Sequence, residues 1–181
     1  ELASANRFIF VGMLLSGLFL STLLTYCQSV SDLPVEMYTH IIFSQVVGLI
    51  AANVIFEKFF GEQFNRYSFL IITIALSELG FILTKSYLWI NALSCLIGFS
   101  FQIMFLRSHN QFQRIIPHGL TAKFNGERGL YTFTGTTVGY IFGPVLHKIG
   151  SIELVFTTCS IIALFFFLFL KHLNPKIKFS A

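Results

Sequence analysis

The sequence predicts an all-α integral membrane protein whose six transmembrane helices form two inverted three-helix repeats, with both termini in the cytoplasm. The first observation behind this prediction is composition. Of the 181 residues, 55% are hydrophobic and only 11% are charged, and the mean hydropathy is +0.75. Soluble domains carry about 25% charged residues, so this chain cannot cover a soluble surface. The other two observations are the spacing of the charges and the side on which the cations fall.

Charged residues divide the sequence into six apolar stretches of similar length. A bilayer core of about 30 Å is crossed by roughly 20 apolar residues in a helix. We therefore predict spans over residues 8–31, 37–56, 67–84, 86–106, 129–146 and 154–170. The longest connection, 107–128, is polar and contains Pro117. We expect it to lie at the membrane interface.

The distribution of Lys and Arg predicts the orientation. With six spans, ten of these residues fall on the side of the termini: Arg7, Lys58, Arg66, Arg107, Arg114, Lys123, Arg128, Lys171, Lys176 and Lys178. Only Lys85 and Lys148 fall on the other side. Cytoplasmic connections carry an excess of cations, so both termini are predicted to be cytoplasmic. Topology and lipid headgroups also explain the net charge of +4 without nucleic acid.

The spans divide near residue 86 into two triplets of similar length. Three helices repeated in the opposite orientation are the architecture of many secondary transporters. Span count and spacing therefore favour an inverted repeat.

A glycine face characterises the predicted fifth span. In GTTVGYIFGPVLHKIG (135–150), Gly135, Gly139 and Gly143 are spaced four apart and Pro144 follows. Small residues at this spacing allow another helix backbone to approach closely. A proline kink is tolerated in a membrane, where neighbouring helices compensate for the lost hydrogen bond. This face is interpreted as a packing or gating surface.

The segment IIPHGLTAKFNGERGLYTFTGTTVGYIFGPVL resembles the entry into the fifth helix of a six-helix half in the major facilitator superfamily. There, a basic connection with an Arg-Gly pair precedes a helix bearing Gly-x-x-x-Gly-Pro. In the drug–proton antiporter branch a further glycine pair follows, where this chain has His147 and Lys148. The antiporter pattern is therefore incomplete.

A second stretch, NVIFEKFFGEQFNR, resembles the superfamily's loop between helices two and three. Glu57 and Lys58 correspond to its Asp-Arg pair, Gly61 and Arg66 fall nearby, and Asn53 replaces the leading glycine. With LIGFSFQIMFLR in the fourth span, the resemblance covers most of the chain.

The resemblance implies half of a twelve-helix transporter, more in keeping with the C-terminal half, in a bacterial inner membrane. The implied function is alternating access for a small amphiphilic organic solute, with proton-coupled export. Its implied partners are membrane lipid, the solute, protons and the other six-helix half. The glycine face would then lie at the contact between the halves. Proton-coupled uptake and a non-transporting polytopic scaffold remain the alternatives.

Glu78 is the one acidic residue deep within a predicted span. Ionisable groups at membrane depth are costly and often functional, so it is the candidate for proton coupling; a structural role is equally open. The substrate-cavity candidates are polar residues on the first, second and fourth spans: Thr25, Tyr26, Gln28, Gln45, Asn53, Asn91 and Gln102. Interhelical hydrogen bonding is the alternative for each of them.

The sequence supports neither a metal site, nor a cofactor, nor an enzyme. Its three cysteines lie in apolar runs without CxxC spacing, and its five histidines lie at helix ends or in connections. A rhomboid-like protease would need Gly-x-Ser-Gly on the fourth span, where GFSF (98–101) lacks the second glycine. No phosphate-binding loop pattern occurs either.

Overall fold

The computed structural model describes residues 2–29, 36–55, 67–116 and 120–173. Within these ranges the chain forms six α-helices and no strand, which confirms the all-α prediction. The helices are α1 (Leu2–Ser29), α2 (Glu36–Ile55), α3 (Tyr67–Leu83), α4 (Tyr87–Ile115), α5 (Thr121–Ile149) and α6 (Ile152–Leu173).

Three segments are long and apolar enough to cross a membrane: Ile9–Gln28, Glu36–Ile55 and Tyr87–Leu106. Two shorter apolar helical segments are Leu70–Leu83 and Ile152–Phe166. Large apolar side chains also cover the outside of the bundle: Phe133 is 76% exposed and Leu88 is 74% exposed. An apolar exterior of this kind is consistent with a membrane protein.

The connection predicted over 107–128 is mostly helical, and the apolar candidate span of α4 ends at Leu106, where the predicted span ends. α4 continues to Ile115 and α5 begins at Thr121. Proline disfavours a helical conformation in the residue before it, and α4 ends just before Ile116, the neighbour of Pro117. Residues 107–115 contain neither glycine nor proline. Their polarity marks the end of the apolar stretch without ending the helix.

Each helix packs most extensively on a helix that is not its neighbour in the chain: α1 on α5, α2 on α4, and α3 on α6. Gly135 lies against Phe10, and Gly143 lies against Ser21, so α1 and α5 run in the same direction. α2 and α4 also run in the same direction. Near their beginnings Tyr87 contacts His40, and further along both helices Gln102 contacts Asn53.

An aromatic cluster joins α1, α3 and α6 at one end of the bundle. Phe19 and Tyr26 of α1 surround Phe81 of α3 and Phe156 of α6, with ring centroids 5.3 to 6.1 Å apart. Offset and edge-to-face pairs at such distances are favourable beyond the area that they bury. A second buried cluster continues the core toward the other end, through Leu15, Ile74, Ile103 and Cys159.

Candidate functional site

Three of the predicted cavity residues meet on one surface between α2 and α4. The Ser44 hydroxyl donates to Asn91 Oδ1 at 2.8 Å, and Gln102 Nε2 donates to Asn53 Oδ1 at 2.9 Å. At the end where α4 begins, the Tyr87 hydroxyl also hydrogen-bonds to His40 Nδ1. We call these three pairs the polar seam. Most of its side chains are exposed or half-buried, so polar groups run along the outside of an apolar bundle.

Gln45 belongs to the same interface but is buried, with 8% of its surface exposed. It lies against Gly98, where an added Cβ would come within 2.9 Å of the Gln45 carbonyl carbon. The structure therefore places Gln45 in the packing between α2 and α4, beneath the polar seam.

The α1 candidates occupy different environments. Gln28 is exposed, Thr25 is half-buried, and Tyr26 is 1% exposed. The Tyr26 hydroxyl donates to the backbone oxygens of Phe81 at 2.9 Å and Thr84 at 3.4 Å. Tyr26 thus ties the end of α1 to the end of α3 as part of the aromatic cluster, and its placement is that of a core residue.

Glu78 is fully buried. Within the described part of the chain, neither carboxylate oxygen has a hydrogen-bond partner. Ile74, Ala75 and Phe81, which lie within one helical turn of it on α3, are also buried. A charged carboxylate in such surroundings is costly, so the neutral acid is the stable form at rest. This environment suits a group that takes up and releases a proton when its surroundings open.

The glycine face of α5 is a packing surface inside the bundle. Gly135, Gly139 and Gly143 are buried. A Cβ added at Gly139 would lie 2.7 Å from the backbone nitrogen of Leu18 and 2.9 Å from the carbonyl carbon of Gly17. The resemblance implied that this face contacts a second half, and that expectation was wrong, because α1 already covers it.

Pro144 and the predicted cytoplasmic loop motif remain from the residues that the sequence singled out. Pro144 is exposed although it adjoins Gly143, so it lies off the packed face. Glu57, Lys58, Gly61 and Arg66, predicted as a cytoplasmic loop motif, lie outside the described residues.

Sequence reasoning missed a cationic cluster at the end of the bundle where α1 and α5 begin and α4 ends. Arg128 of α5 is only 7% exposed, and its Nη1 donates to His109 Nδ1 of α4. Its guanidinium carbon lies 4.4 Å from the centroid of the Phe105 ring. Its other terminal nitrogen, Nη2, has no partner among the described residues. We call Arg128, His109 and Phe105 the arginine site.

The hydrogen bonds fix the state of His109. A guanidinium only donates, so Nδ1 is an acceptor and the ring proton sits on Nε2. Gln113 lies 2.8 Å from Nε2 through its amide. Because Nε2 donates, the Gln113 amide must present its oxygen, which requires the flipped assignment of that amide. Burial, and then the charge of Arg128, lowers the pKa of His109, which agrees with a neutral ring. Burial also lowers the pKa of Arg128.

Asn6 lies about one helical turn from the level of Arg128 in the bundle. It precedes Phe10 by one helical turn, and Arg128 precedes Gly135 by about two, while Phe10 and Gly135 are in contact. Asn6 is 6% exposed, and its Oδ1 also lacks a partner in the described chain. Two buried, unpaired polar groups therefore occupy neighbouring levels at this end.

No group of three His, Cys, Asp or Glu side chains within residues 2–29, 36–55, 67–116 and 120–173 is placed to hold a metal ion. No protein-family model, curated protein or solved structure matches the chain. The chain's own geometry is therefore the basis for assigning a function.

Proposed function

We propose that this chain is a six-helix unit of a secondary active transporter of the major facilitator type, in a bacterial inner membrane. It would move a small amphiphilic organic solute by alternating access, with proton-coupled export. The single observation that carries this proposal is the order of helix packing, in which each of the more extensive contacts has a counterpart when α1–α3 are exchanged with α4–α6. Among the described residues, the two smaller contacts, α5·α6 and α1·α2, have no counterpart of comparable extent.

The exchange works pair by pair. It turns the α1·α5 contact into α4·α2, the other most extensive contact, and it turns α3·α4 into α6·α1, which is also present. The α3·α6 and α1·α4 contacts map onto themselves. An inverted repeat requires this behaviour, and inverted repeats are characteristic of secondary transporters.

The small residues at the two main interfaces correspond in the same way. Gly17 of α1 faces Gly139 of α5, while Gly98 of α4 faces Gln45 and Gly48 of α2 faces Cys95. Exchanging the triplets carries α1 to α4 and α2 to α5, so Gly17 corresponds to Gly98 and Gly139 corresponds to Gly48. Gly135 and Gly143 have no glycine counterpart on α2. Such close parallel packing gives rigid helix pairs, which can move as units during alternating access.

Two polar features provide the chemistry. Glu78 is buried without a partner on α3 and would carry the coupled proton. The polar seam between α2 and α4 would contact the solute from one side, because its amide groups remain accessible on an otherwise apolar surface. A second six-helix bundle would enclose the solute from the other side.

The test is flux of a labelled amphiphilic cation and of a labelled amphiphilic anion in proteoliposomes, with and without a pH gradient. Export predicts movement opposite to the proton gradient, abolished by an uncoupler. Movement with the gradient would indicate uptake, and no flux in a preparation containing both halves would contradict transport and favour the scaffold.

A further inference from the structure

We propose that the arginine site binds the phosphate or carboxylate head of an anionic amphiphile, with the apolar tail along the open apolar groove between α1 and α4, and that binding is accompanied by protonation of His109. Binding itself does not depend on transport. Only the identification of this amphiphile as cargo rests on the proposed function.

The Nη2 nitrogen of Arg128 has no partner among the described residues. Arg128 is the one cation that the described bundle buries, and no described carboxylate pairs with it. Its neighbours are a neutral imidazole and the face of Phe105, so its charge is not neutralised. A buried cation is expensive unless an anion offsets it, and a guanidinium binds the two oxygens of a phosphate or carboxylate through its paired N–H groups.

A shallow apolar groove begins at Phe105 of the arginine site. It lies between α1 and α4, is open to the outside, holds only about 20 Å³ of enclosed space, and is lined by Ile9, Gly12, Met13, Phe101, Met104 and Phe105. Phe105 therefore forms part of both the arginine site and the groove wall. The lining is apolar throughout, so a ligand with a charged head and a hydrocarbon tail fits the combination better than a free inorganic anion. Only the start of a hydrocarbon tail would lie in this groove, and the rest would lie on the exposed apolar surface.

Anion binding at the arginine site would be linked to protonation of His109. Protonation of His109 would place hydrogen on Nδ1 and remove the acceptor that Arg128 Nη1 now uses. The imidazolium and the freed guanidinium would then face the anion together. Among described side chains, the charged group that contacts His109 is Arg128 of α5. The polar side chain of Gln113, on α4, also contacts His109. Arg7 of α1 and Lys123 of α5 are exposed, and Glu127 is half-buried.

The experiment measures equilibrium binding of labelled decyl phosphate to the full chain in a neutral maltoside detergent. Wild-type protein should bind it, inorganic phosphate should compete weakly, and decanol should not compete. Arg128→Gln should weaken binding by about tenfold to a hundredfold. Lys123→Gln makes the same charge change at an exposed position of α5 and should leave the Kd within about twofold. Equal Kd values for the two variants would overturn the site.

Arg128→Lys is included to distinguish loss of the binding site from misfolding of Arg128→Gln. It keeps the charge but loses the planar fork, so it should bind with intermediate affinity. The pH arm uses His109→Gln, which keeps a hydrogen-bond acceptor for Arg128. This arm uses decyl sulfate, because the phosphate head itself titrates near about pH 6 whereas a sulfate head keeps one charge. Wild-type affinity for decyl sulfate should rise as pH falls, by at most about tenfold per pH unit, and this dependence should be lost in the variant. A pH-independent wild type would overturn the proton linkage.

Two sources of the amphiphile are distinguished separately. Native mass spectrometry of wild-type protein should show a retained anionic phospholipid, lost in Arg128→Gln, if the ligand is a resident lipid. Arg128-dependent flux of decyl phosphate in proteoliposomes would identify it as cargo. Binding without flux would leave the site intact and contradict only its role as a cargo site.

Discussion

Glu78 and Arg128 are the two charged side chains buried in the described bundle, and their surroundings differ. Glu78 lies among mostly apolar side chains of its own helix, with buried Ser77 as the exception, and has no hydrogen bond among described residues, which fits a neutral acid. Arg128 keeps a partner in His109 and a ring face in Phe105. The surroundings of Glu78 therefore suit proton binding, and the surroundings of Arg128 suit anion binding.

We expect Glu78→Gln to separate stability from coupling. The amide has the shape of the neutral acid and cannot ionise, so the melting temperature in detergent at pH 8 should be unchanged or higher. Proton-coupled flux should fall at least about tenfold, since general proton transfer by a side chain contributes about that much or more. Glu153→Gln, at an exposed position of α6, is the matched control and should leave flux unchanged. Normal flux in Glu78→Gln between pH 6 and 8 would assign Glu78 a structural role.

The sequence singled out Glu78 as a buried ionisable residue but not Arg128, for a physical reason. An acid within an apolar stretch is conspicuous, whereas Arg128 lies among several cations in a stretch expected to be a connection. A signal was nevertheless present. Arg128 precedes Gly135 by seven residues, about two helical turns, so both fall on the same face once α5 is extended. Burial of the glycine face then implies burial of the arginine.

At the scale of helices, small residues determine which elements pair. The glycine spacing predicted a close contact for α5, and that contact exists. Its partner could not be predicted, because a smooth face accepts any suitable backbone and the spacing carries no information about which helix supplies it. Gly17 lies alone among larger residues of α1, and only the packed bundle shows that it faces Gly139.

Gly139→Ala should destabilise the α1·α5 pair. The added methyl group would meet backbone atoms of Leu18 and Gly17, which cannot move aside without separating the helices. Overpacking of this kind costs about 1–3 kcal/mol, measurable as a lower midpoint in detergent unfolding. Gly126→Ala is the matched control in the same helix, because nothing lies within 4 Å of its added Cβ. Equal midpoints for the two variants would contradict the packing described here.

At the scale of the whole molecule, the alternation of helix directions follows from the packing. α1 and α5 are parallel, and α2 and α4 are parallel, as expected when odd- and even-numbered helices point in opposite directions. The number of helices and their approximate positions were predictable because charges interrupt the apolar stretches. The inverted repeat was suggested by spacing alone and stays a prediction, because it depends on contacts between residues far apart in sequence.

Site-directed labelling tests this orientation. In a variant lacking Cys27, Cys95 and Cys159, a cysteine at exposed Ser86 should react with a membrane-impermeant maleimide added outside intact cells. A cysteine at exposed Lys123 should react only after the membrane is permeabilised, because both termini and the α4–α5 connection are predicted on the cytoplasmic side. Labelling of both positions from outside would contradict the six-span topology.

The pairing of α1 with α5 also bears on how the chain is made. Gly17 and Gly139 are separated by more than a hundred residues, and synthesis proceeds at about 5–20 residues per second. For several seconds the first helix has left the ribosome while its principal neighbour does not yet exist. The principal contact of α1 therefore forms late, and during that interval the apolar helix lies in the membrane with α2 and then α4 as its earlier neighbours.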